Sequence, residues 1–314
     1  MAKVLVVFGA TGQQGGSVID HVLNDSELSQ EFTIRAVTRH VDSAKSKQLK
    51  ERNVEVVQGD MLDQDSLGQV LTGAHTAFAM TMPSFDPNSA IIEYNSGKAV
   101  ADVALDKGVE HIIFSTLPSV SHISSGKYTK VAFFDTKAKI EQYIRSLSGI
   151  KSTFYAAGSF MSNFRNQAIS PRRALDGSET WVMTSHLSPQ AQVPLLNAAG
   201  DTGKFVGAML ADPDKYAGST FCGATALYSL EEVAEIIARA TGKLVVYRQI
   251  PLAEFIGSLP SGVGNVFAET FSYFGEFGYF GPRTAELVVW AAANARGKLT
   301  TFEEFVERHP FELK

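Results

Sequence analysis

The sequence predicts an α/β fold: a doubly wound parallel sheet with a smaller, mostly helical C-terminal lobe. Three observations carry this prediction. Short β-branched runs alternate with segments of helical spacing through the first half of the chain, the pattern that builds βαβ units. Those runs are continuously apolar, as strands buried on both faces are. The first of them, Val4–Phe8, breaks into a glycine turn just before a helical pattern begins.

Taken in order, Val4–Phe8 is the first strand and Gly15–Leu23 the first helix. Strands Thr33–Thr38 and Val54–Gln58 flank helix Ser43–Arg52, and strands Thr76–Met80 and His111–Ser115 flank helix Ser89–Lys107. Helix Val131–Leu147 then leads into strand Ser152–Ala156. After about Gly158 the pattern changes. Ser229-x-x-Glu232 and Thr301-x-x-Glu304 are capping boxes, in which hydroxyl and carboxylate each satisfy the other residue's backbone N–H; they open helices Ser229–Ala240 and Thr301–Arg308. Thr220–Cys222 and Val245–Arg248 read as short strands that extend the main sheet. The aromatic stretch Phe267–Phe280 is open between helical core packing, a pocket wall and a partner surface. No linker divides the chain, so residues 1–157 are expected to bind a nucleotide and 158–314 to form the lobe for substrate or partner.

Composition narrows the function. The 314 residues are 45% hydrophobic with a net charge of -5, which gives no general electrostatic reason to bind nucleic acid or an anionic membrane. The single cysteine, Cys222, excludes an internal disulfide and a Cys-based zinc site, and fits a reducing compartment. The seven histidines lack metal-ligand spacing, so no metal is expected. The longest apolar stretches, Val4–Phe8 and Leu287–Ala293, fall well short of the roughly 20 residues of a transmembrane helix. Lys3 before Val4–Phe8 imitates a signal peptide, but the run is too short and ends in glycines. The expectation is a soluble cytoplasmic protein, with the nucleus as a second location.

Gly9-Ala10-Thr11-Gly12-Gln13-Gln14-Gly15-Gly16 lies between the first strand and the first helix. Glycines there bring backbone N–H groups close to a pyrophosphate, and the helix points its positive end at the same anion. Their G-x-x-G-x-x-G spacing departs from G-x-G-x-x-G. The end of the second strand selects the cofactor: a carboxylate accepts from a ribose 2′-OH, whereas an arginine suits a 2′-phosphate. Thr38-Arg39-His40 carries an arginine, with no acid before Asp42, and favours NADP(H). By topology, Asp60-Met61 at the end of the third strand lies beside the adenine. Thr81-Met82-Pro83, after the fourth, passes under its ribose. The loop containing Gly158, Ser159, Phe160 and Met161 follows the sixth strand and closes over the nicotinamide. Asn163 is open between pointing into the substrate cleft and forming a turn.

Together these motifs make the chain resemble the NmrA-like family of atypical, Rossmann-type short-chain dehydrogenases/reductases. Gly9–Gly16, Val37-Thr-Arg39, Val57-Gln-Gly-Asp60, Phe133-Phe-Asp-Thr-Lys-Ala-Lys-Ile-Glu141 and Gly158-Ser-Phe-Met-Ser-Asn163 carry the resemblance, which spans essentially the whole chain. It implies NADP(H) binding, with Lys98 matching a cofactor-contacting lysine of some members and Ser115 standing where the larger family places its catalytic serine. The larger family uses a Tyr-x-x-x-Lys pair on one helix face, the lysine lowering the phenol's pKa so that it can transfer a proton. Here Lys137 is in place, but Phe133 stands four residues before it and has no proton to give. Related isoflavone-reductase-like enzymes also lack the tyrosine and rely on the lysine.

Two functions follow from the resemblance. One is an NADPH-dependent oxidoreductase acting on an aromatic or conjugated small molecule of quinone, ketone or imine type, with Lys137 as its catalytic group. The other is a non-catalytic NADPH/NADP+ redox sensor that regulates a protein partner such as a transcription factor. Neither nucleic acid nor membrane is expected as a direct partner, and a homodimer stays open.

Overall fold

In the computed structural model, which describes residues 2–313 except 84, 85, 87, 167, 168 and 261, the first half alternates as its apolar pattern requires. Its elements are β1 (Lys3–Val7), α1 (Gln13–Asn24), α2 (Leu28–Glu31), β2 (Phe32–Thr38), α3 (Ala44–Glu51), β3 (Glu55–Gln58), α4 (Gln64–Leu71), β4 (Thr76–Met80), α5 (Ser89–Asp106), β5 (His111–Thr116), α6 (Val120–Ile123), α7 (Ala132–Ser146) and β6 (Lys151–Ala157). The second half adds β7 (Ser159–Phe160), α8 (Asn163–Asn166), β8 (Arg172–Arg173), β9 (Trp181–Ser185), β10 (Gln192–Leu196), α9 (Ala198–Ala211), β11 (Thr220–Gly223), β12 (Ala226–Ser229), α10 (Leu230–Thr241), β13 (Val245–Gln249), α11 (Leu252–Gly257), α12 (Gly264–Phe277), α13 (Thr284–Ala293) and α14 (Phe302–Arg308).

Seven parallel strands form the main sheet in the order β11-β6-β5-β4-β1-β2-β3. The strand order reverses between β1 and β4, and in doubly wound sheets the ligand crevice lies at that switch, beyond the carboxyl ends of the strands. One face of the sheet packs Val18, Ile19 and Val22 of α1 with Phe205, Val206 and Met209 of α9. The other packs Val100, Ala101 and Ala104 of α5 with Ile140 and Ile144 of α7.

The chain crosses the 157/158 position and then returns to the main sheet. α9 lies against α1 so closely that a Cβ on Gly203 would sit 2.2 Å from the Ser17 carbonyl oxygen, and one on Gly207 would sit 2.4 Å from the His21 ring. The Gly203 N–H donates to the Ser17 hydroxyl at 2.9 Å. These glycines and the residues they meet are spaced i, i+4 on their helices, so each pair lines one face. β11 then pairs with β6, as expected of Thr220–Cys222.

The expectation for Val245–Arg248 is corrected. This strand pairs with β9 in a separate three-stranded sheet, β13-β9-β8. Gly242, in the left-handed region at φ 67°, ends α10, and the Leu244 carbonyl then accepts from the Trp181 N–H at 2.8 Å, so the short turn delivers the strand directly to β9. A second small sheet, β12-β10-β7, lies alongside, so the C-terminal half carries strands as well as helices. Both expected capping boxes are present, at Ser229/Glu232 and Thr301/Glu304. Among the described residues no helix is long and apolar enough to cross a membrane.

Candidate functional site

The glycine turn leaves β1 with Gly9 at φ 65°, a conformation in which a side chain is strained. Gly15 allows the turn to close on the helix: a Cβ there would lie 2.4 Å from the Gly9 carbonyl oxygen. Gly12 differs. Its φ of -89° suits any residue, and an added Cβ would meet only the Gly9 oxygen, at 3.2 Å. Gly12 therefore keeps open the space in front of it and is not required by the turn itself. α1 starts there with no side-chain cap and no acidic residue in its first turn; the first N–H groups of α3, α4, α10 and α14, by contrast, are capped by Ser43, Asp63, Ser229 and Thr301. The uncapped N–H groups and the positive helix end form a cradle for an anion. The residues present fit a dinucleotide pyrophosphate.

The ends of β2, β3 and β4 are brought to this turn. Ala10 donates to the Val37 carbonyl at 3.4 Å, and Gly59 to the Thr38 carbonyl at 3.0 Å. Arg39 is exposed, and among the described residues no hydrogen bond or ion pair holds its guanidinium. Sequence reasoning missed Lys45, whose ammonium donates to the Thr11 carbonyl at 2.9 Å and brings a cation to the glycine turn. Its signal was a lysine in the first turn of the helix that follows Arg39. Asp60 accepts from the Leu62 N–H at 3.0 Å, which fixes the turn beneath Met61. Met82 and Pro83, just past β4, are exposed, whereas Thr81 is buried.

Ser115 is buried at the end of β5, and its hydroxyl donates to Gln14 Oε1 at 2.7 Å. Gln13 Oε1 accepts from Ser162 at 3.4 Å. The two glutamines of the phosphate turn thus reach the residues expected around the nicotinamide. Ser159 and Phe160 form β7 against β10, and Asn163 begins α8. Gly158 is packed too tightly for a side chain, a Cβ there lying 2.7 Å from the Pro194 carbonyl oxygen. Met161 is fully buried in the core of the C-terminal half, so its side chain packs there and does not face the cleft.

Lys98 is directed elsewhere. It binds Asp102, one turn further along α5, at 2.6 Å and lies 4.6 Å from the centre of the Tyr143 ring of α7, so it is held at the contact between these two helices. The aromatic stretch is helical core packing. Phe274 and Tyr279 pack on Phe134 of α7, with ring centres at 6.0 and 5.5 Å. Phe133 packs edge-on against Phe134, and both belong to the cluster that covers this side of α7.

Lys137 is almost wholly enclosed, its side chain 8% exposed. Its ammonium donates to the Thr81 carbonyl at 2.7 Å, to Thr81 Oγ1 at 2.8 Å and to Glu93 Oε1 at 2.7 Å. An ammonium has three N–H donors, and all three are used within the protein. Burial lowers the Lys137 pKa, opposed by the Glu93 carboxylate. A ribose or substrate oxygen can bind this ammonium only by sharing or displacing one of these bonds. Glu93 was missed in the sequence because it lies on a different helix and in no recognised motif.

A model of the NmrA-like family matches residues 1–306. The chain belongs to the NmrA-like family. An NmrA-like family domain-containing protein of Dictyostelium discoideum is 31% identical over the full length of both chains. The NmrA-like family domain-containing oxidoreductase lnaB of Aspergillus flavus is 28% identical, covering 79% of this chain and 76% of that one. The crystal structure of NmrA, a negative transcriptional regulator, superposes with a TM-score of 0.78 at 25% identity, covering 99% of this chain and 96% of that one. The same regulator solved in complex with NAD gives 0.74. This NmrA-like chain therefore has relatives named as oxidoreductases and a structural neighbour named as a regulator.

Proposed function

We propose that the chain is an NADP(H)-dependent oxidoreductase acting on an aromatic or conjugated small molecule of quinone, ketone or imine type. The observation that carries this reading is the uncapped amino end of α1 beneath the glycine turn, with Arg39 exposed at the end of β2. Gly9–Gly15 would hold the pyrophosphate, Arg39 the 2′-phosphate, and Thr81 with Lys137 the nicotinamide half. When bound, NADPH supplies a hydride. The protein's part is to orient the acceptor and offset the charge that develops on it, because Phe133 has no proton to donate. Acceptors that delocalise negative charge, or that start as cations, suit such a site; simple ketones and alcohols do not. The name given to the Aspergillus flavus relative supports the reaction class.

The test is NADPH consumption against a panel of quinones, iminium compounds and aliphatic ketones. We expect turnover with the first two groups, slow or none with the third, and a fall with Lys137→Met that exceeds its loss of NADPH affinity. Rapid reduction of an aliphatic ketone would overturn the reading.

A second reading, a cytoplasmic or nuclear NADPH/NADP+ sensor that regulates a protein partner, is favoured by one observation. All three donors of Lys137 are satisfied internally, so the ammonium is not poised for an oxyanion. On that reading no acceptor is reduced above background, and NADPH changes protease sensitivity or partner binding instead.

A further inference from the structure

Glu93 is 3% exposed at its side chain, and its Oε1 atom receives both the Lys137 ammonium, at 2.7 Å, and the Thr81 hydroxyl, at 2.6 Å. The Thr81 hydroxyl in turn accepts from Lys137 at 2.8 Å, so the three groups close a triangle of hydrogen bonds. The three residues come from different segments: Thr81 from the residue just after β4, Glu93 from the second turn of α5 and Lys137 from the second turn of α7. What brings them together is helix packing. Glu93 and Gly97 share a face of α5 by their i, i+4 spacing. The missing side chain of Gly97 lets α7 approach until a Cβ there would lie 2.7 Å from Ile140 Cδ1.

We propose that Glu93 is the positioning residue of the reaction site, holding the Lys137 ammonium charged and aimed at the end of β4, where the nicotinamide half of the cofactor would lie. This rests on the reading of Lys137 as a cofactor-contacting residue. A buried ammonium needs a buried counter-charge, and removing one partner of such a pair leaves the other uncompensated. Among the described residues, Glu93 is the charged group that acts on Lys137. β4 and β5 meet it with the neutral Thr81 and Thr116, the latter donating to the Lys137 carbonyl at 3.3 Å. On α7 itself, Asp135 is turned to Ser119 and Ser121.

The experiment is the NADPH affinity of the full chain from pH 6 to 10, read from the fluorescence of bound cofactor. Wild type, Glu93→Gln, Glu93→Asp and Lys137→Met are compared, with quinone turnover measured alongside. The charged lysine is the binding form, so affinity holds below its pKa and falls above it. Without the carboxylate that pKa drops, and the falling limb of Glu93→Gln should move at least about one pH unit toward acid. The loss across the limb should be about tenfold, that of one charge-assisted hydrogen bond. Glu93→Asp should keep the wild-type limb, and Lys137→Met should show none. Coincident limbs in Glu93→Gln and wild type would overturn the proposal. Should Glu93→Gln fail to fold, Glu93→Gln/Lys137→Met, which removes both charges, should fold; its failure to do so would overturn the proposal. A wild type that reduces no quinone counts against the oxidoreductase reading alone, since the binding limbs still report on Glu93.

Discussion

On the proposed reading Arg39 and Gly12 would do different work at the same turn, and substitution separates them. A charge-assisted hydrogen bond to a 2′-phosphate contributes on the order of 1.5–3 kcal/mol. Arg39→Ala should therefore weaken NADPH binding roughly 10- to 150-fold and leave NADH nearly unchanged. Equal losses for both cofactors in calorimetric titrations would show that the arginine does not read the phosphate. Gly12→Val should abolish binding of either cofactor while the circular dichroism spectrum stays native, because the backbone there is unstrained and the side chain would project into the open cradle. A folded Gly12→Val protein with ordinary affinity would place the pyrophosphate elsewhere. The positions of both residues were legible from the sequence, since each sits at a fixed place relative to a strand end. Glu93 was not. Its role depends on how closely two helices approach, and that distance is set by Gly97 and Ile140 on separate elements.

Helices with strong caps or flanking strands were legible, and those defined by their neighbours were not. Ser229 and Thr301 announced α10 and α14 through hydrogen bonds local to the sequence. α9 has a weaker signal, an Asn197 side chain that accepts from the Gly200 N–H at 3.2 Å with no carboxylate to complete a box. Its three glycines weaken its intrinsic helix preference, and it is held by packing against α1. Gly203→Leu tests that dependence. The side chain would drive into the backbone of α1, and we expect destabilisation of at least about 3 kcal/mol in urea unfolding, at or beyond the usual range for overpacked cores. A variant as stable as wild type would mean that α9 can slide along α1. α12 was legible only as an aromatic run, because its amino end lacks a cap and its residues pack into three different clusters.

The acid response of the whole molecule traces in part to a histidine inside the main sheet. His111 is buried at the start of β5, bonded to the Thr153 hydroxyl at 2.8 Å, and burial holds its pKa down at about 4 against an ordinary 6.5. The unfolded chain takes up this proton more readily than the folded one. The associated stability is full above about pH 6.5 and is lost as the pH falls toward 4, a change on the order of 3 kcal/mol. Urea unfolding at pH 7 and pH 4.5 should show a smaller loss in His111→Gln than in wild type; identical losses would absolve this residue. At this scale the sequence predicted the parallel sheet and its first six strands. It placed Val245–Arg248 in the wrong sheet because strand pattern alone does not reveal which neighbour a strand will find.

The return of the chain to its first sheet bears on how the protein is made. During synthesis the first six strands leave the ribosome before α9 and β11 exist. Until those arrive, Val18, Ile19 and Val22 on α1 lack the helix that covers them, and β6 is an open edge. Nascent chains in that state expose the kind of surface that chaperones bind and that drives aggregation. Completion of the nucleotide-binding layer is thus deferred to the translation of the second half, so a fragment ending near residue 157 would be a substrate for quality control and not a working cofactor-binding unit.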